Sequence, residues 1–322
     1  MLGGILVKKV LLNLGFEKKY DLFEKRLKEA GFDVTRAGGR SPEEIIDIGK
    51  GCEVAIIGAE DQWNRETQDG LKDSLKLIAR FGVGLDNVDL QEARKLGIMV
   101  ANSAGANKES VAECAVALML ESTRKISWLD QKLREGCWKG LPRMHQLSGK
   151  TVGLIGFGAI ARCVAKMVKG FGCSVLATDV VKNETAAQEL GVTFCAEEEL
   201  LKKADFVSLH VPLTKDTYHM VSEGFFQKMK PTAYLINTSR GAVVDEAALF
   251  KALTEGMIQG AGLDVYEQEP PAKDNPLFTL DNIIVTPHAA SSTEEAAGNI
   301  ADLCMENVCT YFQNGKPKYL VK

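Results

Sequence analysis

Four polar residues stand directly after apolar, strand-like runs: His210 in SLHVPLT, Arg240 in NTSRGAVVD, Asp264 in GLDVYEQEPP and His288 in IIVTPHAA. Glu267 and Glu269 share the loop after Asp264. Polar groups at the carboxyl ends of parallel strands are where open α/β sheets bind ligands. Arg240 carries a planar fork that suits a 2-oxo carboxylate, gripping one oxygen while polarising the ketone. Gly241 lets the chain turn immediately after it. Glu269 precedes two prolines, which restricts its backbone. A carboxylate held beside His288 would raise the imidazole pKa and keep it protonated, as a general acid near neutral pH requires. Bland readings compete with each of these: an arginine capping the sheet edge, a solvated loop acid, a satisfied histidine. His210 could line a ligand site or hydrogen-bond locally. His145 falls in a polar linker and His219 in a turn, where solvated roles are the simpler expectation.

These residues need a scaffold, and residues 150–179 supply its first unit. The run 151–155 is apolar and β-branched, as a buried strand is. Gly156, Gly158 and Ala161 follow in the pattern G-x-G-x-x-A, then a helical pattern, then a second strand at 174–178 ending at Asp179. Gly156 permits the tight turn, Gly158 lets a pyrophosphate approach the backbone, and Ala161 allows the helix to pack close to the sheet. The helix N-terminus offers free N–H groups to phosphate. Asp179 can accept hydrogen bonds from a ribose diol and would repel a 2′-phosphate, which favours NAD over NADP.

The remaining pattern is an alternation of strands and helices. Strands are expected at 9–13, 33–37, 53–58, 75–80 and 98–101, with helices at 18–30, from 41 onward and at 89–96. This makes one α/β unit with its own parallel sheet. A long helix with a small-residue face spans 103–125, suited to close packing, with another subunit as one candidate partner. Trp138, in the polar segment 135–150, is an interface anchor or core filling. Six strands are expected from 151 to 285, which fits a doubly wound sheet. A last helix at 293–313 can return to the first unit, making the second domain an insertion in the first.

The 322 residues suffice for two domains. A net charge of −4 gives no electrostatic case for nucleic acid or an anionic membrane. Eight cysteines form no C-x-x-C pair, so buried thiols in a reducing cytoplasm are expected rather than disulfides or metal ligands. The apolar start is broken by Lys8 and Lys9 and is too short to span a bilayer; it reads as a leader to the first strand.

The motifs LKLIARFGVGLDNVDL, TVGLIGFGAIAR, LINTSRGAVVDEAAL, GLDVYEQEPP and IIVTPHAA together resemble the D-isomer-specific 2-hydroxyacid dehydrogenases over essentially the whole chain. Within that family the chain is most similar to the short-type D-3-phosphoglycerate dehydrogenases. The resemblance implies two Rossmann-like or flavodoxin-like domains: an NAD-binding domain at 102–290 inserted in a substrate domain made of 1–101 and 291–322. It implies Arg240, Glu269 and His288 as the catalytic set. Gly156, Gly158, Ala159, Ile160, Asp179, Val211, Pro212, Thr238 and Asp264 become contacts of NAD, with Asp264 near the nicotinamide amide. Arg80, Val83, Gly84 and Arg240 become substrate contacts. No metal and no macromolecular ligand is implied, and a homodimer is, with the helix from 103 at its interface.

One departure bears on the substrate. The phosphoglycerate enzymes carry Arg-Ser after the strand that here reads VAIIGAEDQW, where this chain has Gly58 and Ala59, then Glu60 and Asp61. The expected activity is therefore NAD-dependent interconversion of a D-2-hydroxy acid and its 2-oxo acid. 3-Phosphoglycerate is one candidate; hydroxypyruvate, glyoxylate or a general 2-oxo acid is the other. An NADH-responsive scaffold, like the related transcriptional corepressors, is the alternative of another class.

Overall fold

Val10, Leu11 and Leu12 are consecutive and fully buried. Successive strand residues face opposite sides of a sheet, so such a run requires cover on both faces. The computed structural model, which describes residues 8–38 and 41–321, provides it twice. The chain divides into two units, one running to Asn107 and resuming at Glu294, the other Lys108–Thr293. The apolar leader at 1–7 lies outside the described residues. Among those described, no helix is long and apolar enough to cross a membrane.

The first unit holds β1 (Lys9–Asn13), β2 (Asp33–Arg36), β3 (Val54–Ile57), β4 (Leu77–Arg80) and β5 (Met99–Ala101). All pair in parallel in the order β2-β1-β3-β4-β5. Val10, Leu12, Val54 and Ile56 point into one apolar layer, which the returning helix Glu294–Asn314 closes with Ala301, Cys304, Val308 and Tyr311. Leu11, Ala55 and Ile57 point into the other, around Trp63 and Ile78. Helix starts follow local chemistry. Ser41 and Glu44 form a reciprocal capping box ahead of Pro42, and Asp89 accepts the amides of Gln91 and Glu92. The helix Arg65–Leu71, after β3, is an element that the periodicity did not reveal.

The second unit holds β6 (Thr151–Ile155), β7 (Ser174–Thr178), β8 (Val192–Phe194), β9 (Phe206–Leu209), β10 (Tyr234–Asn237), β11 (Gly260–Leu263) and β12 (Ile283–Val285). The order is β12-β11-β10-β9-β6-β7-β8, again all parallel. The sheet therefore has seven strands, not six. The extra one, β8, is a three-residue edge strand, too short to show a period-2 pattern. The strand order reverses between β6 and β9, which places the ligand crevice of this unit at their carboxyl ends.

The small-residue face of the helix Lys108–Arg124 is used for close packing, as expected, inside its own unit. Ala112, Ala115, Val116, Leu118 and Met119 pack within their own unit against the helix Ala159–Gly170 and the sheet. The helix Ile126–Arg134 that follows buries none of its residues.

Candidate active site

The turn after β6 and the strand end after β9 nearly touch. A Cβ on Gly156, which sits at φ +89°, would lie 2.6 Å from the His210 carbonyl oxygen and 3.1 Å from Val211. Glycine is required there on both counts. Gly158 has open space where its Cβ would be, and it starts the helix Ala159–Gly170 with no side-chain cap. The first-turn N–H groups of that helix, those of Ala159 and Ile160 among them, are the ones a phosphate would meet. Asp179 follows β7 and is tied to the same turn: Oδ2 accepts the Phe157 N–H at 2.6 Å and Oδ1 the Val181 N–H at 3.0 Å. Each oxygen keeps acceptor capacity for a ribose diol. Thr238, just past β10, is buried, and among the described residues its Oγ1 has no hydrogen-bond partner. An orphaned buried hydroxyl at one strand end and an open, glycine-lined helix start at another strand end of the same sheet fit a polar ligand such as a dinucleotide.

His210 ends β9 but is committed locally. Its Nε2 lies 2.9 Å from Ser208 Oγ, and burial pushes its imidazole down to about 4, so it stays neutral at working pH. Val211 and Pro212 follow it at the reversal point of the strand order.

Arg240, Glu269 and His288 come from the segments after the adjacent strands β10, β11 and β12. His288 Nδ1 is 2.6 Å from Glu269 Oε2. The two side chains are 48% and 36% exposed, open enough to meet a solute. The Glu269 bond raises the imidazole above its ordinary value against the opposing effect of burial; the charges of Glu269 and Asp264 add to the rise, and that of Arg240 opposes it. Burial pushes the Glu269 carboxyl up. The His288 and Tyr266 hydrogen bonds and the nearby charges outweigh it and hold the carboxyl below the usual range. With Nδ1 facing Glu269, Nε2 is the nitrogen left to exchange a proton with a bound molecule. The Arg240 fork is anchored by a 2.7 Å bond to the Ser239 carbonyl, and Asn237 Nδ2 holds the Arg240 carbonyl at 2.9 Å.

Asp264 has a role that periodicity did not expose. Its carboxylate is fully buried and accepts Thr286 Oγ1 at 2.6 Å and the amides of Ala289 and Ala290 at 2.8 and 2.9 Å. His288 N–H donates to the Asp264 carbonyl at 2.8 Å. These bonds hold His288 at φ +50°, a left-handed conformation that costs a non-glycine residue about 1–3 kcal/mol. Tyr266 was also missed. Its N–H reaches Glu269 Oε1 at 3.1 Å and its hydroxyl the Thr286 carbonyl at 2.9 Å, joining the Glu269 loop to the His288 strand. The only sequence signal is an aromatic residue between Asp264 and Glu267 in DVYEQE.

Gly241 brings the Arg240 turn against the Glu269 loop. A Cβ there would lie 1.8 Å from the carbonyl carbon and oxygen of Tyr266 and 2.5 Å from the Glu267 nitrogen, all backbone atoms that cannot yield alone. Gly241→Ala is expected to cost about 3 kcal/mol, the upper end for overpacking, read as a lower denaturant midpoint, with turnover falling along with it. An unchanged midpoint and unchanged turnover would show that the two segments do not need this contact.

In the first unit, Arg80 closes β4 and is buried, with an Nη1 hydrogen bond to the Phe81 carbonyl. Asn102 Nδ2 fixes the Val83 carbonyl at 2.8 Å. Among the described residues the Val83 and Gly84 amides donate no hydrogen bond. Asp61 follows β3: Oδ2 accepts Asn13 Nδ2 at 2.9 Å, and the Asp61 carbonyl accepts Asn87 Nδ2 at 2.7 Å. Trp63, fully buried, donates Nε1 to Asn13 Oδ1 at 3.0 Å. The acid is thus held by a buried amide network.

Comparison with known proteins agrees with this chemistry. The NAD-binding domain of the D-isomer specific 2-hydroxyacid dehydrogenases matches residues 116–290. A glyoxylate reductase of Korarchaeum cryptofilum is 42% identical over 286 residues, covering 87% of this chain and 86% of its own. A D-3-phosphoglycerate dehydrogenase of Archaeoglobus fulgidus is 40% identical over 283 residues, which is 88% of this chain and 54% of its own. Among solved structures, a glyoxylate reductase from Paecilomyes thermophila has a TM-score of 0.89 at 26% identity, covering 98% of this chain and 99% of that one. The chain belongs to the D-isomer specific 2-hydroxyacid dehydrogenases and is an NAD-dependent oxidoreductase.

Proposed function

We propose that the chain reduces a small, unphosphorylated 2-oxo acid to its D-2-hydroxy acid, with glyoxylate and hydroxypyruvate as the leading substrates. The observation that carries the chemistry is the 2.6 Å His288–Glu269 pair, set on strand ends adjacent to that of Arg240. NADH, when bound, supplies the hydride that adds to C2. His288 gives the proton from Nε2 to the oxygen that becomes the hydroxyl, and Glu269 keeps the imidazole oriented and charged. Arg240 grips the carboxylate and offsets charge growing on the ketone oxygen. Gly156, Gly158, Ala159, Ile160, Asp179, Val211, Pro212, Thr238 and Asp264 serve the cofactor in this reading, with Asp264 also holding the His288 turn. Arg80 and the amides of Val83 and Gly84 serve the substrate carboxylate.

The preference for an unphosphorylated tail rests on the loop after β3. Asp61 is a fixed carboxylate in a segment that reads Gly-Ala-Glu-Asp. At an effective dielectric of about 20, a charge about 5 Å from a phosphate costs roughly 3 kcal/mol per unit of phosphate charge, or more than a hundredfold in affinity. The relatives named glyoxylate reductase point the same way. NADH oxidation with glyoxylate, hydroxypyruvate, pyruvate and 3-phosphohydroxypyruvate tests this. The phosphorylated acid is expected to have a kcat/KM at least tenfold below the best of the others. If it is the best substrate, the reading of the loop is wrong; turnover with none of the four would favour a scaffold role.

We further propose that two copies associate through the apolar residues that the helix Ile126–Arg134 and its sequel leave exposed. Ile126, Leu133 and Trp138 are 60%, 56% and 77% exposed, so Trp138 does not fill a core, and its exposure supports the reading of it as an interface anchor. The eight free cysteines suit a reducing cytoplasm.

A further inference from the structure

His219 lies beyond β9; its main chain is hydrogen-bonded to one of the segments that carry the residues given a chemical role above, and its ring lies against the other. Its N–H donates to the Ala242 carbonyl at 2.9 Å. Two residues on, Val221 exchanges bonds with Val243 and Asp245, at 3.1 and 3.0 Å. The main chain at 219–221 is thereby paired with the turn that begins at Arg240. The side chain points to the other segment: Nε2 is enclosed, has no hydrogen-bond partner among the described residues, and lies 3.2 Å from Glu267 Oε1, an ion-pair distance when the ring is protonated. The ring stacks on Tyr218 at 4.0 Å, and the residue is held at φ +50°, a second left-handed histidine in this unit.

Glu267 is two residues before Glu269 and is locked in turn. Its Oε1 accepts the Glu246 N–H at 2.7 Å, and Glu246 Oε1 accepts the Glu267 N–H at 2.7 Å. Asn275 Nδ2 holds the other Glu246 oxygen at 2.9 Å. His219, Asp245 and Glu267 have the donor types of a cation site, and their ligand atoms lie within 4.8 Å of one another. Asp245 Oδ1, however, caps the helix Glu246–Thr254 through the Ala248 N–H at 3.0 Å, and Glu267 Oε1 is already an acceptor. The grouping is better matched to a clasp between backbone segments than to a cation.

We propose that His219 and Glu267 are positioning residues for the oxo-acid reduction. Together they set the spacing between the turn bearing Arg240 and the loop bearing Glu269. The proposal rests on the roles given above to Arg240, Glu269 and His288. The charged groups acting on His288 are Glu269, Asp264 and Arg240, so a loosened Glu269 loop changes the proton affinity of His288 without touching it. A shift of the order of 1 Å in a reacting geometry costs about 100-fold in rate.

The test is steady-state glyoxylate reduction across pH by His219→Ala, Glu267→Gln and His219→Gln, with His288→Ala beside them. NADH affinity and the unfolding midpoint are measured for each. Expected for His219→Ala and Glu267→Gln is a 10- to 100-fold fall in kcat, an alkaline limb moved to lower pH, and NADH affinity within twofold of the parent. His219→Gln, whose amide can reach toward Glu267, is expected to recover most of kcat. Parental kcat and an unmoved limb in Glu267→Gln overturn the clasp, whether or not His219→Ala folds. So does a rate loss in both variants that tracks stability while the limb stays in place. If His288→Ala retains turnover, the proton-donor reading is what fails. If His288→Ala is inactive while the clasp variants behave as the parent, the clasp alone fails.

Discussion

His288→Ala is expected to lower turnover with glyoxylate and NADH by about 10³-fold, within the range a positioned general acid contributes, while NADH still binds. That factor is about 4 kcal/mol of barrier. The pH dependence carries the sign. Reduction needs the protonated imidazole, so kcat/KM is level below the His288 pKa and falls tenfold per pH unit above it. Oxidation of the hydroxy acid needs the neutral ring and rises through the same pKa. Because Glu269 holds that pKa above the ordinary histidine value, Glu269→Gln should move the limb of the reductive profile toward lower pH. Turnover of His288→Ala equal to that of the parent, or a limb that Glu269→Gln leaves in place, would remove His288 from the chemistry.

Arg240→Lys is the second large effect. Lysine keeps the charge but presents a point cation in place of a fork, so carboxylate and ketone can no longer be held by one rigid plane. Loss of one preorganised donor at a developing oxyanion costs about 10²–10³ in kcat. Loss of the bidentate carboxylate grip adds a rise in KM. The expected result is a fall in kcat/KM larger than the fall in kcat alone, with NADH affinity unchanged. A change confined to KM would assign Arg240 to ground-state binding only.

The parts legible in the sequence are those with local rules. The glycine turn, the acid after β7 and the capped helix starts follow from backbone sterics and unsatisfied amides within a few residues. The strands were legible where both faces are buried, as in Val10–Leu12, because the run is continuous and apolar. What escaped notice depends on contacts between distant segments. The packing of Gly241 on Tyr266, the turn that Asp264 holds around His288, and the approach of His219 to Glu267 link residues 24 to 48 positions apart. No periodicity encodes them. His219 looked like an ordinary turn residue because its neighbours in sequence are unremarkable. The long helix Lys108–Arg124 shows the converse limit: a small-residue face signals close packing but not against what, and here its partners are in its own unit.

The most direct test of the central claim is the configuration of the product. Hydroxypyruvate is incubated with NADH and the enzyme, and the glycerate formed is resolved into its enantiomers. The arrangement of Arg240, Glu269 and His288, in a chain of the D-isomer specific family, leads to D-glycerate formed in step with NADH consumed. L-Glycerate, or NADH consumed without glycerate, would contradict it.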